Sequence, residues 1–333
     1  MTMMSKVGAG CASLVFFLFD TEERLYMAGK KQHYSGIGGQ AVLEGVMMKN
    51  GSDYAVAVRK PDGQIEVKKD VHHGILEGSV LIRIPFVRGI FMFIDSLSLG
   101  MKSLNYSASF YDEEESENKG KNGGLGDKLL TAVVTVVAFA LAIFLFMLLP
   151  YFTAQYLDRF IRSRVVMTLI EGGLRILIFL IYVSAISMMK DIKRLYMYHG
   201  AEHKCINCIE SGKELNADNV RESSRFHRRC GTSFILLVLL ISVILFFFIT
   251  VRNPLLRVLI RIALIPVISG ISYELIRIAG RSDSILVRII SAPGFLMQKI
   301  TTKEPDDEMI EVAIDSVEAV FDWKEYLERE FAL

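Results

Sequence analysis

The chain has 333 residues, 52% of them hydrophobic, and a formal net charge of only +1. Its mean hydropathy is +0.37, and charged residues are excluded from several long stretches rather than spread evenly, which is the profile of an integral membrane protein. So small a net charge gives no basis for nucleic-acid binding, and four cysteines in a chain this long do not make a disulfide scaffold.

The short apolar run Cys11 to Phe19 follows a single Lys6 and has no small-residue cleavage site. It reads as a weak amphipathic anchor and not as a signal peptide. From Ala41 to Met48 and from Tyr54 to Val58 apolar residues alternate or cluster, and Lys60-Pro61-Asp62-Gly63 forms a turn into Ile65 to Val67. This pattern predicts a small β-rich region. His72-His73 reads as a surface pair. From Ile75 to Tyr106 the pattern becomes helical and strongly apolar, but Pro85 and Gly89 interrupt it, and Arg83, Arg88 and Asp95 lie within it. An interfacial or re-entrant helix pair fits those charges better than a fifth span. Asp112 to Asp127, acidic and then glycine-rich, reads as a solvated linker.

Four stretches approach or exceed the ~20 residues needed to span a bilayer: Leu129 to Pro150, Val165 to Met189, Ser233 to Val251 and Leu255 to Ala279. Basic residues crowd the connection between the second and third, from Lys190 to Arg229, which places that loop and both termini in the cytoplasm; Arg159, Arg162 and Arg164 in the opposite loop run against this. Within the second span, Glu171 and Arg175 stand four apart and predict an internal ion pair. A polar path through Glu171, Arg175 and Glu274 would instead suit a transporter. After the fourth span, Ser291-Ala292-Pro293-Gly294 breaks a second apolar stretch. Asp306 to Phe331, with Trp323 and Tyr326, predicts an acidic amphipathic helix that packs on the chain or docks a protein partner or a second copy.

The expected fold is therefore mainly α, a polytopic helical membrane protein of about four transmembrane helices with a small β-containing N-terminal cytoplasmic region and interfacial helices. Its organisation reads as residues 1–110, β-containing and interfacial; 111–128, linker; 129–280, membrane domain with a cytoplasmic loop at 190–232; and 281–333, interfacial segment and C-terminal helix.

Chemistry concentrates in that loop. Tyr198-His199-Gly200-Ala201-Glu202-His203-Lys204 spells H-x-x-E-H, which on a helix puts two imidazoles on one face with a carboxylate beside them. Such a pair can grip a divalent metal, most simply zinc, with Glu202 as general base. His227 and Glu274 are the candidate further ligands. A competing set, Cys205, Cys208, His227 and Cys230, follows structural zinc spacing and would staple the loop without catalysis. Under a plainer reading, the histidines are interfacial hydrogen-bonding groups and Cys208 and Cys230 are buried thiols.

The runs Ile37 to Met48, Tyr198 to Lys204, Arg225 to Phe234 and Thr301 to Asp307 together resemble the YqhQ family of bacterial membrane proteins, catalogued as predicted metal-dependent enzymes. The resemblance covers nearly the whole chain. It implies that threonine is common at the position of Cys205, whereas Cys208 and His227 to Cys230 belong to the family pattern. It therefore favours His199, His203 and His227 as ligands, with Cys208, Cys230 and Glu274 as alternates. It also implies that the motif around Gln40 and Glu44 caps the cytoplasmic site. The expected function is metal-dependent hydrolysis of a membrane-delivered substrate at the cytoplasmic face of the bilayer. The other class is a metal-stabilised membrane scaffold or transporter component.

Overall fold

Four short strands, β1 (Gly38–Val42), β2 (Gly45–Asn50), β3 (Asp53–Arg59) and β4 (Ile65–Val71), form one antiparallel sheet in chain order. The computed structural model describes residues 33–118, 125–157, 159–161, 163–249, 251, 254–279 and 285–331, so the run Cys11 to Phe19 lies outside the described residues. The stretch Ala41 to Met48 is split by a hairpin: Val42 pairs with Gly45, leaving Leu43 and Glu44 as a two-residue loop. Glu44 adopts a left-handed backbone, φ 49°, an uncommon state for a side-chain-bearing residue. The loop is held from outside, because Arg194 grips both carboxylate oxygens at 2.5 Å and the Tyr198 hydroxyl donates to one of them.

Period-two alternation sends the two halves of β2 and β3 to different cores. Val46, Met48, Ala55 and Ala57 pack against helices α5 (Lys190–Glu210) and α10 (Asp307–Glu318). Met47, Tyr54, Val56 and Val58 face Leu99, Tyr106 and Phe110 of α1 (Val87–Asn118). A sheet covered on both faces explains why these strands are apolar almost throughout.

Helix α1 is one continuous 32-residue element, preceded by a 3-10 turn at Val80–Arg83, and not the helix pair expected. Gly89 does not break it, since glycine weakens a helix without obstructing it. The expected linker is also helical as far as Asn118, and residues 119–124 lie outside the described set. His72 is no surface residue: its Nε2 lies 2.9 Å from Asp95, and both side chains are largely buried.

The remaining helices are α2 (Leu125–Ile143), a π-helical turn (Phe144–Leu148), α3 (Leu149–Leu157), α4 (Arg164–Ile186), α6 (Ala217–Glu222), α7 (Gly231–Phe247), α8 (Pro254–Ala279), α9 (Ile285–Thr301) and α11 (Trp323–Phe331). Among the described residues, three stretches are long and apolar enough to cross a membrane: Val133–Leu157, Val165–Ile186 and Leu259–Ala279. The expected third span is shorter than predicted. Helix α7 ends at Phe247 after 17 residues, about 25 Å at ~1.5 Å per residue, against a hydrocarbon core of ~30 Å. Its Leu236 packs with Val183 of α4 and Met297 of α9.

Glu171 and Arg175 do pair, at 3.2 Å, and Arg261 of α8 joins them at 2.7 Å. The C-terminal segment is two helices, α10 and α11. Met309, Ile310, Val312, Tyr326 and Leu327 lie in the core shared with α5 and the sheet, so their apolar faces are covered within the chain.

Candidate metal centre

Helix α5 is buried from Tyr198 to Glu210 except at His199. Its polar residues organise what covers it. Lys204 Nζ donates to the carbonyls of Arg221 and Ser223 at 3.0 and 2.9 Å, and Asn207 Nδ2 donates to those of Ser224 and Phe226 at 2.6 and 2.8 Å. The segment after α6 is thereby laid along the helix with its carbonyls satisfied, as a buried irregular backbone requires. That path delivers Cys230 opposite His199. Cys230 then caps α7, its Sγ accepting from the Thr232 amide at 3.4 Å.

The end of α9 closes the other side. Gln298 clamps His227 through both its backbone groups, accepting from the amide at 2.8 Å and donating to the carbonyl at 2.7 Å. Gly200 permits this closure, because a Cβ there would strike the Lys303 carbonyl. The Thr301 carbonyl reaches His199, and the Arg225 carbonyl reaches His203.

At the centre, donor atoms of His199, His203 and Cys230 all lie within 4.8 Å of one another. His199 Nε2 is 3.2 Å from Cys230 Sγ, and the two imidazole centroids are 4.4 Å apart. Each Nδ1 faces a carbonyl oxygen, Thr301 at 2.8 Å for His199 and Arg225 at 2.6 Å for His203. A carbonyl only accepts, so both Nδ1 atoms carry hydrogen in the neutral rings and each Nε2 keeps its lone pair. Metal-binding histidines are commonly held in this way.

Charge couples the group. Burial opposes ionisation of Cys230, but the imidazoles of His199 and His203 override it and hold the thiol well below its usual range. Burial likewise opposes protonation of His199, yet the adjacent Cys230 raises that imidazole to about 9. Without a metal, both shifts favour a thiolate beside an imidazolium.

Glu202 lies beside the cluster. Burial raises its carboxyl, partly offset by His199 and His203, and the Gly39 amide hydrogen-bonds it. Its Oε2 is buried without a partner among the described residues. Gly39 of β1 has no Cβ to strike Met47, Met48 and Glu202, so the strand packs closely against α5 at Glu202. Gln40 points the other way and meets Gly100 of α1.

The other candidates are placed apart. The His227 ring is 5.4 Å from that of His203, but its Nε2 faces Glu210 at 3.7 Å and Arg229 at 3.3 Å. Burial, with Arg229 nearby, depresses His227 to about 4. Glu210 is a buried carboxylate that the sequence reading overlooked. It accepts from the Ser35 amide and hydroxyl at 2.9 and 2.7 Å and from Arg229, and His227 and Arg229 outweigh its burial to hold it near 2. Its spacing seven residues after His203 was the available signal, since that repeat returns to one helix face.

The four-ligand cysteine site is not assembled. At about 3.6 residues per turn, Cys205 and Cys208 fall on the far side of α5 from His199; Cys205 is in the apolar core, and the Cys208 thiol faces the Glu214 carbonyl at 3.3 Å. Glu274 is engaged elsewhere, with both oxygens on Arg88 at 2.7 and 2.5 Å. An α8 carboxylate within an apolar helix needs such a partner.

Residues 84–323 match the model of a family described as "Protein of unknown function (DUF1385)". The chain is also 37% identical over 286 residues to a Bacillus subtilis (strain 168) protein named "Uncharacterized protein YqhQ", an alignment covering 84% of this chain and 90% of that protein. No solved structure matches it. The family match contains every residue of the histidine and cysteine cluster.

Proposed function

This chain belongs to the DUF1385 family, and from its His199, His203 and Cys230 cluster we propose a membrane-embedded, metal-dependent hydrolase whose divalent-metal site, most simply zinc, lies at the cytoplasmic face. The observation that carries the proposal is the pair of Nδ1 atoms committed to the Thr301 and Arg225 carbonyls, which leaves the two Nε2 atoms as the ring donors for an ion beside Cys230. Three protein donors suit a tetrahedral ion that keeps one position open, as hydrolytic sites do, whereas structural zinc sites are closed by four. When bound, the ion would supply Lewis acidity.

The chain's own residues account for the remainder. His199 and His203 are held in one tautomer and orientation by backbone carbonyls. Glu202, raised by burial and with Oε2 unpartnered, is placed to accept a proton from water and return it to a leaving group. Three membrane-length helices support a substrate delivered from the bilayer, with both termini cytoplasmic.

The scaffold reading retains one supporting observation: the site sits where α5, α7, α9 and the loop meet, so an ion there would also staple the fold. Metal content of detergent-purified protein tests the proposal. About one ion per chain is expected in the wild type and in Cys205→Ser, and none in His203→Ala or Cys230→Ser. Glu202→Gln should retain the ion and the fold while losing the cellular function. Loss of the ion in Glu202→Gln, or an unaltered phenotype, would overturn the general-base role.

A further inference from the structure

Between β4 and the sheet-packing part of α1, the chain leaves the sheet and returns to it. Both limbs are pinned at Asp95, which meets His72 Nε2 at 2.9 Å and the Ile75 amide at 3.4 Å. Beyond the pin lies the 3-10 turn, and the tip is Pro85–Phe86, where Phe86 has φ 66°. The tip meets α8 closely: a Cβ on Gly89 would come within 3.0 Å of the Gly270 Cα, and a Cβ on Gly270 would strike the Phe86 carbonyl at 2.5 Å. Arg88 clasps Glu274 one turn along, and the Phe86 amide donates to the same carboxylate at 3.3 Å.

These contacts fix a depth. Gly270 is near the middle of the apolar stretch Leu259–Ala279, about 13 Å from its end at ~1.5 Å per residue. From Gly89 to Leu99, which sits in the sheet's core, α1 climbs ~15 Å on the same rise. The sheet can therefore lie outside the bilayer while Phe86 and Gly89 lie halfway through it. The side chains agree. Val80 is 73% exposed and Phe86 52%, and Leu81, Ile84, Ile94 and Leu97 are exposed with them. On α8 the exposed Ile262, Ile265 and Val267 continue that apolar surface. Arg83 is the cation on this turn, and its long stem lets it reach towards headgroups.

We infer that residues 75–97 form a re-entrant loop, entering from the sheet's side of the membrane to about mid-depth, with its apolar surface solvated by lipid acyl chains. This rests on α8 spanning the bilayer. Irregular backbone at that depth must be satisfied by protein; the Glu274 carboxylate does this for the Phe86 amide, and the Arg88–Glu274 pair leaves no unpaired charge at the crossing.

The test is nitroxide labelling of full-length protein carrying Leu81→Cys or Ile84→Cys, in a Cys11→Ser background where Cys205, Cys208 and Cys230 are buried. Reference labels are Ile181→Cys on α4 and Asp62→Cys on the β3–β4 turn. Collisions with oxygen and with a water-soluble nickel chelate would be read in phosphatidylethanolamine and phosphatidylglycerol vesicles. The inference expects loss of nickel collisions with high oxygen collisions at Leu81 and Ile84, as at Ile181. Nickel access at both positions, with Ile181 still protected, would overturn the loop alone. Exclusion of oxygen as well would mean that a second protein surface covers them, and overturns it too. Nickel access at Ile181 would overturn the spanning reading and the loop together.

Discussion

His199 Nε2 faces Cys230 Sγ at 3.2 Å across 31 residues of sequence, joining the middle of α5 to the first turn of α7. In the metal-free protein this contact is an ion pair with a defined pH window. His199 is raised from 6.5 to about 9, so its stabilising contribution is complete below 6.5 and is lost as pH rises through about 9. Cys230 is depressed from 9.0, so its contribution is complete above 9.0 and is lost as pH falls through its low folded value. Near neutrality, thiolate ultraviolet absorbance should be present in metal-free wild type and absent in Cys230→Ser. In His199→Ala the titration should move up towards that of an ordinary thiol. An unchanged titration would remove His199 as the cause.

Glu274 was a natural ligand candidate by sequence order, and its pairing with Arg88 gives a separate expectation. Glu274→Gln should leave metal stoichiometry unchanged while lowering thermal stability in detergent, because Arg88 would lose its charge partner in a largely buried place. Breaking such a pair costs about 3–5 kcal/mol when fully buried, and less here to the extent that solvent reaches it. Loss of the ion in this variant would return Glu274 to the site.

Gly200 lets α5 approach the segment Thr301 to Lys303 by bare backbone contact, at the Lys303 carbonyl. A methyl group there meets a carbonyl that is itself fixed, since the Lys303 amide donates to the Tyr196 carbonyl at 2.8 Å. Gly200→Ala should therefore destabilise by about 1–3 kcal/mol, the usual range for overpacking. It should also weaken metal affinity, because the displaced segment carries the Thr301 carbonyl that orients His199. Chelator competition and a thermal melt would read the two effects separately, and an unchanged affinity would detach Thr301 from the site.

Local patterns carried most of the fold. Strand character, three of the membrane-length stretches and the Glu171–Arg175 pair were legible because each depends on spacing along one element. The hairpin at Leu43–Glu44 was less so, since a glutamate in left-handed conformation is stabilised by Arg194 and Tyr198, far along the chain. For the site, H-x-x-E-H located the face of α5 that matters. The choice among third ligands depended on where Lys204 and Asn207 pull the following segment, and those carbonyl contacts leave no spacing signature. Cys230 was thus one alternate among several, although it is the residue brought to both histidines.

The buried charge group shared by α4 and α8 yields the last prediction. Glu171 faces two guanidiniums, Arg175 at 3.2 Å and Arg261 at 2.7 Å, and Phe246 lies under both, 5.5 and 4.8 Å from ring centroid to guanidinium carbon. Arg175 also donates to the Phe146 carbonyl at 3.3 Å, in the π-helical turn. Removing the carboxylate charge leaves two like charges together in a poorly solvated place, whereas removing Arg261 leaves a neutral pair. Glu171→Gln keeps the shape and should destabilise by about 3–5 kcal/mol, the cost of an uncompensated buried charge. Arg261→Met should cost less, mainly the lost cation–π contact of about 0.5–2 kcal/mol. Thermal melts in one detergent would order the two variants, and an Arg261→Met loss equal to or larger than that of Glu171→Gln would show that packing, and not charge balance, dominates there.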